Sequence, residues 1–319
     1  MLEVLFADLS WGKCIVDTEG RRVCVSRKPE RIVVLTGTCI ETIYILGEIE
    51  RVVGISRNML DNPFYSEIIG RLKEIPIVAQ DMRNLDLEKI ISLKPDLLIA
   101  LGPEHPYGLR GEMVKKIESL GLPLILTNLE SLSENYYSIE ILGELFEKRS
   151  MAMRLIEHMK KIERHVRSKV SKIPEKTRVR AIMLSHRPTL VLAGLWGKED
   201  IIALSGGINV AGSIREFITE VSLERIASWD PEVVTIVGTA NYDPDLILSS
   251  PQWRDIKAVK TKTVFKYPYQ LTGIFTPRVP LLLAWCSSKF YPDLKIDWVG
   301  ICDEFFRRFY LRPYYGPRN

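Results

Sequence analysis

The chain states one element twice. From Leu87 to Gly102 it reads LEKIISLKPDLLIALG, and from Leu223 to Gly238 it reads LERIASWDPEVVTIVG, so the two align without a gap. In each copy apolar residues recur at helical spacing until Pro95 or Pro231, which cannot continue a helix and disfavours the helical state just before it. After the proline and one acidic residue comes a short run rich in Leu, Ile and Val that ends in Gly. That is the pattern of a strand buried on both faces of a parallel sheet. A helix feeding such a strand is half of a βαβ unit, so two copies predict two α/β lobes.

Length and composition agree. A chain of 319 residues exceeds what one core usually fills. With 46% apolar and 26% charged residues and no low-complexity stretch, it reads as folded throughout. The net charge of +4 comes from 44 basic and 40 acidic residues scattered along the chain, with no Lys/Arg block, which argues against a nucleic-acid partner. No run of about 18 uncharged apolar residues occurs, and the opening MLEVLFADLSWGK lacks a basic start and a long apolar stretch. An export or anchoring segment would therefore lie outside these residues.

The five cysteines, at 14, 24, 39, 286 and 302, include no CxxC pair, so a zinc or thioredoxin-type site is not expected. Around the first two, KCIVDTEGRRVCV reads as two short strands joined by a polar turn ending in Gly20. Cys14 and Cys24 then face each other across a hairpin, either as a disulfide favoured by an oxidising compartment or as two small buried side chains.

Along the chain, residues 31–35 read as a strand, Thr36-Gly37-Thr38 as a tight loop, and the following helix as one capped by Thr38 with Glu41 three residues on. RVVGIS is a second strand and RNMLDNPF a loop; after the first repeat come GPEHPYG, a helix over about 110–120, and the strand LPLILTN. Residues 133–171 are helical with a break near Gly143, and residues 148–171 form one long connecting helix. The second half runs through the strand RVRAIML, SHRP, TLVLAGLWG, SGGINVAG, the second repeat, TANYDPD, WRDIKAVKTKTVFKYPY and a helix over about 277–290. The resulting segments are an N-terminal arm and hairpin (1–30), a first α/β lobe (31–147), the connecting helix (148–173) and a second α/β lobe (174–319).

Absent motifs narrow the function. There is no GxxxxGK[ST], no GxGxxG after a strand, no GxSxG and no HExxH. The four histidines, at 105, 158, 165 and 186, supply little acid–base machinery, so catalysis is not expected.

The order of a strand, a TGT loop, a helix ending at Gly47, VVGIS with a polar loop, and NLDLEKIISLKPDLLIA resembles the substrate-binding proteins of ABC importers for cobalamin, haem and ferric siderophores. SGGINVA, EVSLERIASWDPEVVTIVG and TPRVPLLLAW continue the resemblance, which runs from about Cys14 to Pro292. It implies two Rossmann-like lobes joined by a single long helix with a ligand cleft between lobes, an extracytoplasmic location, no enzymatic activity and no resident cofactor. The implied partners are an ABC permease with its ATPase and a small-molecule ligand, with the protein itself a monomer. It also implies that one acid per lobe, Glu88 and Glu224, docks onto the permease; read alone, each is an acid favoured by the helix macrodipole.

Ligands of open α/β sheets bind outside the carboxyl ends of strands. The loops there offer Thr36, Thr38, Arg57, Asn58, Glu104, His105 and Tyr107 in the first lobe, and His186, Arg187, Trp196, Tyr242, Tyr269, Phe275 and Arg278 in the second. Helix-start amides beside Thr38 suit an anionic group, although Thr38 also reads as a plain N-cap. Glu104 and His105 are candidates to ligate a metal, His105 as an axial ligand of a haem or corrin; a solvated loop histidine is the plainer reading. Trp196 suits stacking or the core, and the three arginines favour a carboxylate-rich chelate, a propionate-bearing tetrapyrrole or an oxyanion.

The leading expectation is a receptor for a metal chelate: ferric siderophore, haem or corrinoid. The alternatives are a molybdate or tungstate receptor of the same fold, a cytosolic two-lobe enzyme such as a glycosyltransferase, and a metal-cluster scaffold, which would need thiols facing the cleft; Cys39 alone is near a cleft loop.

Overall fold

The structure is a computed structural model and describes residues 12–193, 200–273 and 276–317. The chain divides into two compact units, one comprising Met1–Leu129 with Ser133–Arg154, the other Glu130–Leu132 with Leu155–Asn319.

The first unit opens with an antiparallel hairpin, β1 (Lys13–Val16) and β2 (Arg22–Val25). Wound α/β structure follows: β3 (Ile32–Val34), α1 (Gly37–Ile45), β4 (Val52–Ser56), α2 (Asn58–Asp61), α3 (Pro63–Ile68), β5 (Ile77–Ala79), α4 (Leu87–Ser92), β6 (Leu97–Leu101), α5 (Gly111–Ser119), β7 (Leu124–Thr127) and α6 (Leu132–Leu145). The five strands β3–β7 are parallel in the order β5-β4-β3-β6-β7. Strand order reverses between β3 and β6, and the sheet's core includes Val33, Val78, Leu98 and Leu126.

α7 (Arg149–Val170) carries the chain across the division between units, which falls after Arg154. The second unit holds β8 (Arg180–Leu184), β9 (Leu190–Leu192), α8 (Ile201–Leu204), β10 (Ile208–Asn209), β11 (Ile218–Glu220), α9 (Leu223–Trp229), β12 (Val233–Ile236), α10 (Pro244–Leu248), α11 (Lys257–Lys260), β13 (Val264–Lys266), α12 (Val279–Phe290) and α13 (Trp298–Phe309). Its sheet runs β11-β9-β8-β12-β13 with β10 also against β8; β8, β12 and β13 are parallel, and β9 and β11 antiparallel.

The two copies of the repeat are equivalent in detail. Asp86 and Ser222 cap α4 and α9 by accepting from the backbone N–H of Lys89 and Arg225, an interaction whose loss typically costs about 1 kcal/mol. Each helix gives way to a left-handed residue, Lys94 (φ 48°) or Asp230 (φ 41°), before its proline. The acid after the proline then seats the start of the adjacent strand: Asp96 accepts from Arg31 N at 3.0 Å and Glu232 from Arg180 N at 3.0 Å. Arg31 and Arg180 complete the match by donating to the carbonyls of Leu93 and Trp229.

Several local expectations change. RNMLDNPF is not a loop but the start of two short helices, because Asn62 accepts from Phe64 N and Pro63 occupies the first turn of α3, where its missing N–H costs nothing. The cap of α1 is Thr36, whose hydroxyl accepts from Cys39 N; Thr38 lies inside the first turn. The break in the long helical region falls at residues 146–148, where Glu147 is left-handed (φ 58°). Gly143 serves packing instead, since a Cβ there would lie 2.4 Å from that of Ala152 on α7. Beyond Phe290, where no element is expected from the pattern, Asp297 caps α13 by accepting from Gly300 N.

Cys14 and Cys24 are cross-strand partners joined by a disulfide, with Cα atoms 4.0 Å apart. Closing this loop, with ten residues of sequence separation, restricts the unfolded chain by about 2–3 kcal/mol. Urea denaturation of a Cys14→Ser, Cys24→Ser variant is expected to show a loss of that size, and an unchanged midpoint would contradict it.

Candidate functional site

In the first unit the reversal of strand order brings together the loops after β3 and β6, where an open α/β sheet receives its ligand. After β3, the buried Thr36 and Thr38 serve α1 itself: Thr36 caps it, and the Thr38 carbonyl accepts from Thr42 Oγ1 at 3.0 Å. A Cβ on Gly37 would lie 2.5 Å from the Tyr65 hydroxyl, so Tyr65 of α3 covers the first turn and would have to shift for any larger residue there. After β4, Arg57 and Asn58 are exposed, with Asn58 Oδ1 accepting from the Ser56 hydroxyl.

The loop after β6 is tightly wound. His105 N donates to Gly102 O at 3.1 Å, Gly108 N to His105 O at 2.8 Å and Leu109 N to Leu101 O at 3.0 Å. A Cβ on Gly108 would lie 1.7 Å from Gly102 O, so the turn requires glycine there. The His105 ring is part of this frame: its Nδ1 accepts from Tyr107 N at 3.1 Å, and burial lowers its pKa to about 4. A neutral imidazole that accepts at Nδ1 carries its proton on Nε2. His105 therefore presents an N–H and not the lone pair that an axial metal ligand needs. Glu104 is exposed beside it, and Tyr107 is 48% exposed with its ring 6.1 Å from that of His105. Arg83, from the loop after β5, donates to Pro106 O at 3.5 Å. Exposed Arg83 and Tyr107 thus adjoin, a neighbour that reading from sequence missed because it comes from another strand end. Among the described residues no group of three or more His, Cys, Asp or Glu is placed to hold a metal ion.

In the second unit the corresponding reversal, between β8 and β12, joins two loops through hydrogen bonds. His186 Nδ1 is 3.0 Å from Ser185 Oγ and its Nε2 is 3.4 Å from Thr239 Oγ1; the buried Tyr242 hydroxyl donates to Ser185 O at 2.9 Å. Burial pushes the Tyr242 phenol further up, keeping it a neutral donor. Lys266, at the end of β13, donates to Ala240 O at 2.8 Å and pairs with Asp243 at 3.0 Å. Gly238 is held under the next loop, since a Cβ would lie 2.5 Å from Tyr267 O and 2.6 Å from Tyr269 Cα. Tyr269 is half-buried there.

The three arginines named from the sequence have different surroundings. Arg187 pairs with Glu220 at 2.8 Å, both exposed. Arg278 is fully buried, and its guanidinium donates to the Gln270 carbonyl, so it braces the chain ahead of α12 and offers nothing to a ligand. Arg57 remains exposed. Trp196 and Phe275 lie outside the described residues. Cys39 is also buried, and its thiol is pushed up to about 11 by that burial, which leaves it inert and not facing a ligand.

Glu88 and Glu224 occupy the same position, one residue inside the capped start of α4 and α9, and both are exposed. The Glu224 backbone amide and the Ser222 hydroxyl hold the Glu224 carboxyl below the usual range.

Two wound α/β units repeat one helix–proline–strand element, each with polar loops at the strand-order reversal where such sheets bind small molecules, and the family they define is one of solute-binding proteins and not enzymes. The chain belongs to the periplasmic binding protein family, whose model matches residues 32–271. Similar proteins include an uncharacterized ABC transporter substrate-binding lipoprotein, YvrC, of Bacillus subtilis, 26% identical over 88% of this chain and 85% of its own. The molybdate-binding protein MolA of Haemophilus influenzae is 23% identical over 100% of this chain and 97% of its own, and a vitamin B12-binding protein of Vibrio vulnificus is 24% identical over 82% and 90%. MolA bound to molybdate superposes with a TM-score of 0.85 at 21% identity, covering 96% of this chain and 100% of that one. The family is one of periplasmic binding proteins, and relatives are named as an ABC transporter substrate-binding lipoprotein and as periplasmic binding proteins, which supports an extracytoplasmic substrate-binding component of an ABC transporter. Among the described residues no helix is long and apolar enough to cross a membrane.

Proposed function

We propose that the protein captures a metal chelate, a ferric siderophore, haem or corrinoid, and delivers it to an ABC permease through Glu88 and Glu224. The observation that carries the ligand class is the wall of the loop after β6. There Tyr107, 48% exposed, stands beside His105 with its Nε2–H and near the cationic Arg83. An aromatic face with a hydrogen-bond donor and a guanidinium suits a broad, partly apolar ligand carrying carboxylates. The metal arrives as part of the cargo, so no metal site of the protein's own is required.

A second reading, a molybdate or tungstate receptor, is favoured by the likeness to MolA along the whole chain. A thermal-shift panel separates the two. A ligand at one hundred times its dissociation constant adds about 2.7 kcal/mol, so cyanocobalamin, haemin or a ferric siderophore is expected to raise the melting temperature by several degrees. A rise with molybdate or tungstate alone would replace the chelate reading by the oxyanion one.

A further inference from the structure

The hairpin β1–β2 has no task in solute binding as described, yet its turn is fastened to the carboxyl end of β7. Thr18 N and Thr18 Oγ1 donate to Leu126 O at 3.3 and 3.1 Å, and Asn128 N donates to Thr18 Oγ1 at 2.7 Å. Leu126 N donates to the buried Asp17 at 3.1 Å, and Arg21 donates to Leu124 O at 2.6 Å. These bonds cover the edge of the sheet and carry the next turn residue, Glu19, over the end of β6.

There it meets Gly102. A Cβ on Gly102 would lie 1.9 Å from Glu19 Oε1 and 2.7 Å from Asn128 Oδ1, so both oxygens converge on the space that the absent side chain leaves. Both are buried, and neither has a hydrogen-bond partner among the described residues; Asn128 as a whole is 4% exposed. Buried polar atoms are rarely left unpaired, and the Asn128 amide has an NH2 group that a half-turn would bring to Glu19.

We propose that Glu19 is a positioning residue: seated on Gly102 against Asn128, it holds the Gly102–Gly108 loop in the conformation that presents His105 and Tyr107. The Asn128 amide, turned so that its NH2 group faces Glu19, supplies a donor to the carboxyl. Burial first, then the nearby Glu104 carboxylate and, more weakly, Asp17, raise the Glu19 carboxyl above its ordinary range; the Asn128 side chain and the Glu104 backbone amide oppose this only in part. The disulfide closes the hairpin whose turn carries Glu19, so it supports the same contact from a distance. The loop's role in contacting solute rests on the function proposed above, whereas its bracing by Glu19 does not.

The test is native-state hydrogen exchange, which needs no solute. In Glu19→Ala, amides of residues 103–109 are expected to exchange roughly tenfold faster, the effect of losing one buried hydrogen bond to an ionisable group, with amides of β6 and α5 unchanged. Gly102→Ala, which displaces Glu19 without removing it, is expected to give the same local change. Glu19→Gln, which keeps the length of the side chain and an oxygen that accepts from Asn128 and the Glu104 amide, is expected to stay within about twofold of the parent. Unchanged exchange in Glu19→Ala would overturn the proposal, as would Glu19→Gln behaving like Glu19→Ala, or acceleration spread evenly over the unit. If the loop responds as expected but the panel of chelates and oxyanions gives no thermal shift, the solute assignment fails and the brace stands.

Discussion

Transport through the cognate importer is expected to fall by at least about tenfold in a Glu88→Ala, Glu224→Ala double variant while solute affinity is unchanged. Truncating one partner of a charge pair that becomes buried and hydrogen-bonded at an interface costs about 2–5 kcal/mol, and the proposed docking uses one such acid from each unit. The two carboxylates are exposed on separate units, one residue inside matching capped helix starts, and neither belongs to the loops at the strand-order reversals. Glu224 is held ionised by the Ser222 hydroxyl and its own backbone amide, so its charge persists across the physiological range. Each variant also removes an acid from a helix start, worth about 0.3–1 kcal/mol, so a denaturation curve must show that the double variant is still folded under assay conditions. Uptake by a reconstituted importer measures the effect, with solute binding determined in parallel. Full uptake by the double variant would refute docking through these residues; lost uptake together with lost solute binding would show that the helices serve the ligand site.

Acid is expected to destabilise the protein through His105. Its imidazole is neutral in the fold, with a pKa lowered from 6.5 to about 4 by burial. Between those two values the unfolded chain binds a proton that the folded chain does not. This contribution is therefore complete above pH 6.5 and is lost as the pH falls towards 4, by about 3 kcal/mol in all. His158 on α7 is also depressed, by burial first, with Arg308 and Lys161 adding to it and Glu304 opposing, so it acts in the same direction. The difference between the parent and His105→Gln isolates the loop residue, because a glutamine carbonyl can still accept from Tyr107 N. Urea denaturation in steps between pH 7 and pH 4 is expected to give a shallower slope for His105→Gln. Parallel slopes would mean that His105 is charged in the folded protein.

What was legible in sequence was what neighbours along the chain decide. The proline of each repeat ends its helix whatever lies around it, and the acid at the helix start needs only the adjacent amides. Cys14 and Cys24 meet because strand alternation and a short polar turn place them opposite one another. The periodicity of residues 148–171 sufficed for the long helix, and the order of all these elements sufficed for the family.

Only the tertiary structure decided which polar groups face outward and which are held inside. Arg187 and Arg278 looked alike as loop cations, but the first pairs with Glu220 on the surface and the second is buried against the Gln270 carbonyl. Thr36 and Thr38 were equally good caps by type, and the choice fell to the one whose hydroxyl reaches Cys39 N. Gly143 looked like a breaker and is a point of contact with Ala152. Glu19 carried no signal, because its partners Gly102 and Asn128 are more than eighty residues away and reach it only once β6, β7 and the hairpin have assembled. The physical reason is the range of the forces: caps, prolines and periodicity act within a turn or two of chain, whereas desolvation and partner choice depend on atoms that distant segments bring together.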